Sequence, residues 1–184
     1  MAVATAAGLA LVSPGAQAAM REGAVEIGGY LVFAGFDDES NIENDEGLGG
    51  RLGVLFADQH GMEFSFDFIS TEGTDPGLDV DLATFKAGYV LNFAPRAAVS
   101  PLFTAGGGFQ NVQVTELTVL GEEEVLDETD PLGYAGFGVR FFIGQVFNLR
   151  LDGQIQAVLP DGDLDETLVD GLFLLGFGWV VGGR

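Results

Sequence analysis

The segment Met62-Glu63-Phe64-Ser65-Phe66-Asp67-Phe68-Ile69 sets an apolar side chain at every second position, with Glu63, Ser65 and Asp67 between them. Successive side chains of an extended chain point to opposite faces, so this stretch reads as a β-strand with one apolar and one polar face. The same period returns in Phe147–Ala157, where Phe147, Leu149, Leu151, Ile155 and Ala157 alternate with Asn148, Arg150, Asp152, Gln154 and Gln156. In Ala83–Phe93, Phe85, Ala87, Tyr89, Leu91 and Phe93 alternate with Thr84, Lys86, Gly88 and Asn92. Near the C-terminus Phe173, Leu175, Phe177, Trp179 and Val181 stand against Leu174, Gly176 and Gly178.

Outward from these strands the chain is punctuated in two ways. Long acidic segments cover 36–46, 72–79, 116–130 and 160–167, and short turns cover 57–61, 94–100 and 144–146. Long and short alternate strictly. Four long loops and three short turns join eight strands of about 10 residues each, as in a meander with one end outside the cell and the other in the periplasm. The expected fold is all-β: a closed, eight-stranded, antiparallel, up-and-down transmembrane β-barrel with both termini at the short-turn end. A soluble lipocalin-like carrier would also alternate, with Phe64, Phe66, Phe68, Phe177 and Trp179 turned inward around a ligand.

The polar faces decide between the two. Glu26, Arg51, Glu63, Asp67, Lys86, Arg140, Arg150 and Asp152 share one parity, four acids and four bases. The four long segments hold about 20 acidic residues and no Lys or Arg. Such a balance within so acidic a chain is what a confined interior demands, because an unpaired buried charge costs several kcal/mol. The eight residues are therefore read as an ion-paired network filling a barrel lumen. Gly49, Gly53, Gly88, Gly106, Gly108, Gly136, Gly138, Gly176 and Gly178 fall on the same parity. They make room for large side chains in a barrel only just wide enough to hold them.

Composition sets further bounds. The chain has 184 residues, is 47% hydrophobic, contains no Cys and carries a net charge of -21. That charge opposes nucleic acid and anionic surfaces and favours cationic partners such as divalent ions. Residues 1–18 are read as a signal peptide, with an apolar run over Ala2–Val12 and a small-x-small site at Ala16-Gln17-Ala18. Residues 19–184 then form the barrel domain. No Lys or Arg precedes the apolar run, and the alternative is a hydrophobic first helix that stays in place. No stretch is long and apolar enough for a transmembrane helix.

Several fragments in order carry a resemblance: Gly-Gly-Arg-Leu-Gly (49–53), Pro-Leu-Phe-Thr-Ala-Gly-Gly-Gly (101–108), Gly-Tyr-Ala-Gly-Phe-Gly-Val-Arg-Phe (133–141) and Leu-Arg-Leu-Asp-Gly-Gln (149–154). Together they resemble the OmpA-like outer-membrane β-barrel superfamily over roughly residues 22–181. The resemblance implies location in the bacterial outer membrane, contact with its lipid and lipopolysaccharide, and insertion by the barrel-assembly machinery. It also implies a role as envelope-integrity protein, adhesin or surface receptor, or occasionally as a narrow pore. One departure is the ending, where Trp179 is followed by Val-Val-Gly-Gly-Arg rather than a terminal aromatic. This fits either the start of a linker to a periplasmic domain or an insertion signal built on Phe177 and Trp179.

Candidate sites are few. Catalysis is not expected, since His60 lies in a short turn and Ser65, near Glu63 and Asp67, has no His to activate it. Asp161, Asp163 and Asp165 alternate as in calcium loops, but Glu166 and Leu172 stand where an EF-hand needs Gly and Glu. Weak calcium or magnesium binding across the acidic loops is the remaining metal expectation, with Asp37-Asp38-Glu39 and Glu122-Glu123-Glu124 as further donors. Tyr30, Tyr134, Phe33, Phe36, Phe56, Phe93, Phe103, Phe147 and Trp179 cluster near strand ends, where aromatic girdles sit; the parity of Tyr30 and Tyr134 favours the lumen. The leading function is a structural, surface-interaction barrel with a plugged lumen and four acidic extracellular loops. A narrow porin-like channel is the alternative.

Overall fold

The computed structural model describes residues 20–36, 45–72, 78–118, 121–159 and 167–183. Eight strands follow one another: β1 Ala24–Gly35, β2 Asp45–Leu55, β3 His60–Glu72, β4 Leu78–Asn92, β5 Val99–Thr118, β6 Gly121–Ile143, β7 Phe147–Val158 and β8 Leu168–Gly182. Each pairs antiparallel with the next, and β1 pairs with β8 from Ala24↔Gly182 to Gly35↔Gly171, closing the barrel. The connections 56–59, 93–98 and 144–146 lie at the inner end, where β1 begins and β8 ends. Gly144 adopts φ 73° in the tightest of them, a left-handed conformation that costs glycine little. The segment 1–18 read as a signal peptide lies outside the described residues.

The apolar parity faces outward. Phe64, Phe66, Phe68, Phe85, Phe137, Leu149, Phe173, Phe177 and Trp179 are all exposed on the wall, which rules out the carrier arrangement with these rings inside. An apolar outer band around a closed sheet is what lipid requires, since closure leaves no strand of the ring without a partner on either side along the shared height of the wall. Phe147 packs on Trp179 with ring centroids 4.3 Å apart at the inner rim. Phe33 and Phe173 meet at the outer rim, 6.3 Å apart. Phe36, grouped above with the girdle, instead packs on the interior cluster around Val32 and Leu172, because it follows the inward parity of Tyr30, Val32 and Ala34 beyond the end of β1.

The wall is uneven in height. β5 and β6 have 20 and 23 residues, against 11 to 15 for the others. They take up 116–118 and 121–130 of the segment that its acid content marks as a loop, and stay paired to Thr118↔Gly121 with a register shift at Val114/Thr115. From Phe109 to Leu120 no Gly or Pro interrupts the chain and Val, Leu and Thr recur, so nothing stops the ladder. β7 ends opposite Leu132, next to Pro131. Above that point β6 has β5 as its strand partner among the described residues.

Candidate functional site: the barrel interior and its outer mouth

The inward parity builds a stack of three layers. At the inner end Met20, Ala24, Leu55, Phe142 and Val180 form a small buried apolar base. Glu26, Arg51, Glu63, Asp67, Lys86, Arg140, Arg150 and Asp152 lie above it, all buried. An apolar layer containing Val32, Ile69, Leu82, Leu172 and Leu174 fills the outer half. Leu132, Tyr134 and Val158 complete it on the β6–β7 side.

The eight charged residues meet as follows. Arg140 reaches Glu26 at 2.6 Å and donates to Asn92 Oδ1 at 2.5 Å. Asn148 donates to the second oxygen of Glu26 at 3.0 Å. Arg150 bridges two acids, holding Asp152 through Nε at 2.9 Å and Glu63 through both terminal nitrogens. Arg51 reaches Asp152 at 2.9 Å from the other side. Lys86 pairs with Asp67 at 2.5 Å, and the Tyr30 hydroxyl donates to the same carboxylate. The Arg51 guanidinium lies 4.4 Å from the centre of the Tyr30 ring, adding a cation–π contact. Each of these eight charges thus meets an opposite one, which is the condition under which low-dielectric burial is tolerable.

Glycines shape the space these groups fill. A Cβ at Gly49 would overlap the Tyr30 ring, and one at Gly88 the Tyr134 hydroxyl. At Gly178 it would come within 2.6 Å of Glu26 Oε1 and 3.0 Å of Asn148 Nδ2. Bare backbone on β2, β4 and β8 is therefore the counterpart of bulky side chains from β1, β6 and β7 that reach into the lumen.

A ring of polar side chains follows at the outer mouth. Gln156 donates through Nε2 to Gln110 Oε1 at 2.9 Å and to Asp170 Oδ2 at 3.1 Å. Asp130 is registered opposite Gln110 on the neighbouring strand. Asp130 and Asp170 are both buried. In sequence Asp130 falls in an acidic segment that reads as a solvated loop, and Asp170 carries no mark of a site. Both are hidden for the same reason: they border acidic segments, and the inward parity is not legible through Pro131 or past Leu168. The apolar outer layer is equally hidden, because β8 is apolar on both faces there and alternation gives no contrast.

The remaining candidates lie apart. His60 opens β3 at the inner rim on the outer surface, where its Nδ1 hydrogen-bonds the Tyr89 hydroxyl and Phe56 stacks beside it. Ser65 belongs to the interior parity between Glu63 and Asp67, so the two never meet. Arg96 pairs with Asp58 across two short turns, largely exposed. Asp161, Asp163 and Asp165, and the acidic run at 37–39, lie outside the described residues. Among the described residues no group of three or more His, Cys, Asp and Glu side chains gathers in a metal-binding arrangement.

Known structures share this architecture. The Yersinia pestis attachment invasion locus protein Ail aligns with TM-score 0.58 at 18% identity, covering 87% of this chain and 99% of that one. The N-terminal barrel domain of Pseudomonas aeruginosa OprF aligns with TM-score 0.56 at 15% identity, covering 87% and 98%. OprG from the same organism aligns with TM-score 0.55 at 15% identity, covering 89% and 98%. A second Ail structure is in complex with the heparin analogue sucrose octasulfate. No curated protein matches the chain. Over residues 4–179 the chain matches the family described as the outer membrane protein beta-barrel domain, and it belongs to that family of bacterial outer-membrane barrels.

Proposed function

We propose that this protein is a surface-interaction barrel whose lumen does not conduct and whose acidic outer face meets cationic partners. The observation carrying the first half is the layering of the interior. A through-path would have to separate the Arg150–Glu63 and Arg140–Glu26 pairs and then cross the apolar layer at Val32, Leu82 and Leu174. Eight strands leave an interior about wide enough for side chains alone. In planar bilayers the purified barrel is expected to give no steady channel at moderate voltage. A reproducible open level would overturn this half and favour the narrow-pore alternative.

The second half rests on charge. The outer segments hold about 20 acidic residues and no Lys or Arg. Ail has been seen in complex with a polyanion, the heparin analogue sucrose octasulfate; the acidic outer segments here would repel one. Barrels in liposomes are expected to bind polylysine and not heparin, with affinity falling steeply as salt rises. Neutralising Glu122, Glu123 and Glu124 to Gln at the tip of the β5–β6 hairpin is expected to weaken polylysine binding several-fold. Binding of heparin in place of polylysine would overturn the assignment. Weak binding of calcium or magnesium by the outer loops, Asp161, Asp163 and Asp165 included, belongs to the same reading.

A further inference from the structure

We propose that the outer edge of β6, from Asp127 to Thr129, is a docking edge for an extended cationic segment of a partner protein, which adds to the sheet as one more strand. This edge deepens the surface function proposed above, on which it rests, by giving the cationic partner a main-chain mode of binding.

The backbone fixes which groups are on offer. β7 runs beside β6 only as far as Val158↔Leu132. Just beyond, the Leu159 N–H donates to the Pro131 carbonyl at 2.9 Å. In an antiparallel ladder the N–H and C=O of one residue point to the same side, and successive residues point to opposite sides. Asp127 and Thr129 share the direction of Pro131, so their N–H and C=O groups are aimed away from β5. Glu128 points the other way, and its carbonyl accepts from Asn111 Nδ2 on β5 at 3.1 Å. Among the described residues no strand pairs with β6 on its far side above Leu132. Two donors and two acceptors thus continue the line of a finished ladder with no strand beside them, the condition under which an added strand gains main-chain hydrogen bonds.

The edge is also braced. Asn111 Nδ2 donates to Asp127 Oδ1 at 2.8 Å and to Thr129 Oγ1 at 3.1 Å, which holds the two residues whose backbone is on offer. β5 continues beside them, registered Asn111↔Thr129 and Gln113↔Asp127, and β4 supports β5 as far as Leu78↔Glu116. Three paired strands therefore carry the edge, and the cost of ordering on docking falls on the incoming segment.

Charge selects the occupant. Residues 121–130 contain Glu122, Glu123, Glu124, Asp127, Glu128 and Asp130, and no Lys or Arg. Leu126, Asp127, Glu128 and Thr129 are exposed. Asp127 and Glu128 fall on opposite faces of the strand, so a segment with Lys or Arg on both faces meets opposite charge on each. A second copy of this chain would set the acidic strand against itself, and like charges across a strand pair are destabilising.

The test uses the refolded full chain in nanodiscs with two short capped peptides of lysine and valine in alternating pairs. They differ only in that one is N-methylated at each backbone nitrogen, which keeps its charge and removes its donors. The unmethylated peptide is expected to bind and to slow amide hydrogen exchange at Asp127 and Thr129 about tenfold or more. The methylated peptide is expected to bind about tenfold more weakly. Thr129→Pro deletes one edge N–H without touching a charge, and proline is tolerated on the open side of an edge strand. It is expected to weaken the unmethylated peptide about fivefold; if the variant fails to fold, the peptide pair still decides. Equal affinity of the two peptides, or unchanged exchange at Asp127 and Thr129, would overturn the docking edge and leave the surface reading standing on charge alone. Binding of neither peptide would overturn both. A dimer of the chain that protects these two amides without peptide would overturn the choice of occupant.

Discussion

Replacing Arg150 with methionine is expected to destabilise the folded barrel by about 3–5 kcal/mol, the usual cost of removing one partner from a buried ion pair. Arg150 neutralises Glu63 and Asp152 together and is itself 1% exposed. Methionine preserves much of the volume, so the loss reports charge rather than a cavity. Asp152 keeps Arg51 as a partner; Glu63 loses the base that holds both of its oxygens. Urea unfolding in detergent micelles measures the effect. Adding Glu63→Gln to the Arg150→Met background is expected to restore a large part of the loss, because removing both members of a buried pair is far cheaper than removing one. A single variant as stable as the wild type would mean that water replaces the missing guanidinium.

The second large effect is steric. At Gly108 a Cβ would run into the Phe85 carbonyl oxygen and stand 2.9 Å from Lys86 Cα. Both obstacles are backbone and cannot swing aside. Gly108→Val is expected to cost about 3 kcal/mol, the upper part of the range for overpacking, or to block β4–β5 pairing outright. Gly171→Val is the matched control. Gly171 lies on the exposed face of β8, where an added Cβ would meet nothing within 4 Å, and valine suits a strand facing lipid. The heat-modifiable shift in gel mobility that marks a folded barrel should survive in the control and be lost or weakened at Gly108. Equal behaviour of the two would mean that β4 and β5 separate easily.

The alternation in Met62–Ile69 made the fold legible, because period two survives wherever one face meets lipid and the other a polar interior. Strand number followed from the punctuation, since loops at the two ends differ in length and charge. Strand height did not. In 116–130 the acid content pointed to solvent, yet 116–118 of β5 and 121–130 of β6 stay paired, because cross-strand hydrogen bonding tolerates Glu and Asp. The shared parity of Arg51, Glu63, Asp67 and Lys86 could be read from sequence, but pairing could not. Arg140 and Glu26 are 114 residues apart and on strands that are not neighbours, so barrel curvature alone brings them together. Asp130 and Asp170 escaped notice because a carboxylate beside an acidic loop has no sequence mark of being inside.

The β1–β8 seam has a kinetic consequence. Seven of the eight strand pairings join neighbours in sequence and can zip locally, each across a single connection. The eighth joins Ala24 to Gly182, and loop-closure entropy together with high contact order concentrates there. Until it forms, β1 and β8 each present a bare row of backbone donors and acceptors that lipid cannot satisfy. Final closure is therefore the step at which assembly is slowest and the growing sheet most open to wrong partners. Substitutions along Val25–Ala34 and Leu172–Val181 should act more on the rate of insertion than equally destabilising ones in the β5–β6 hairpin.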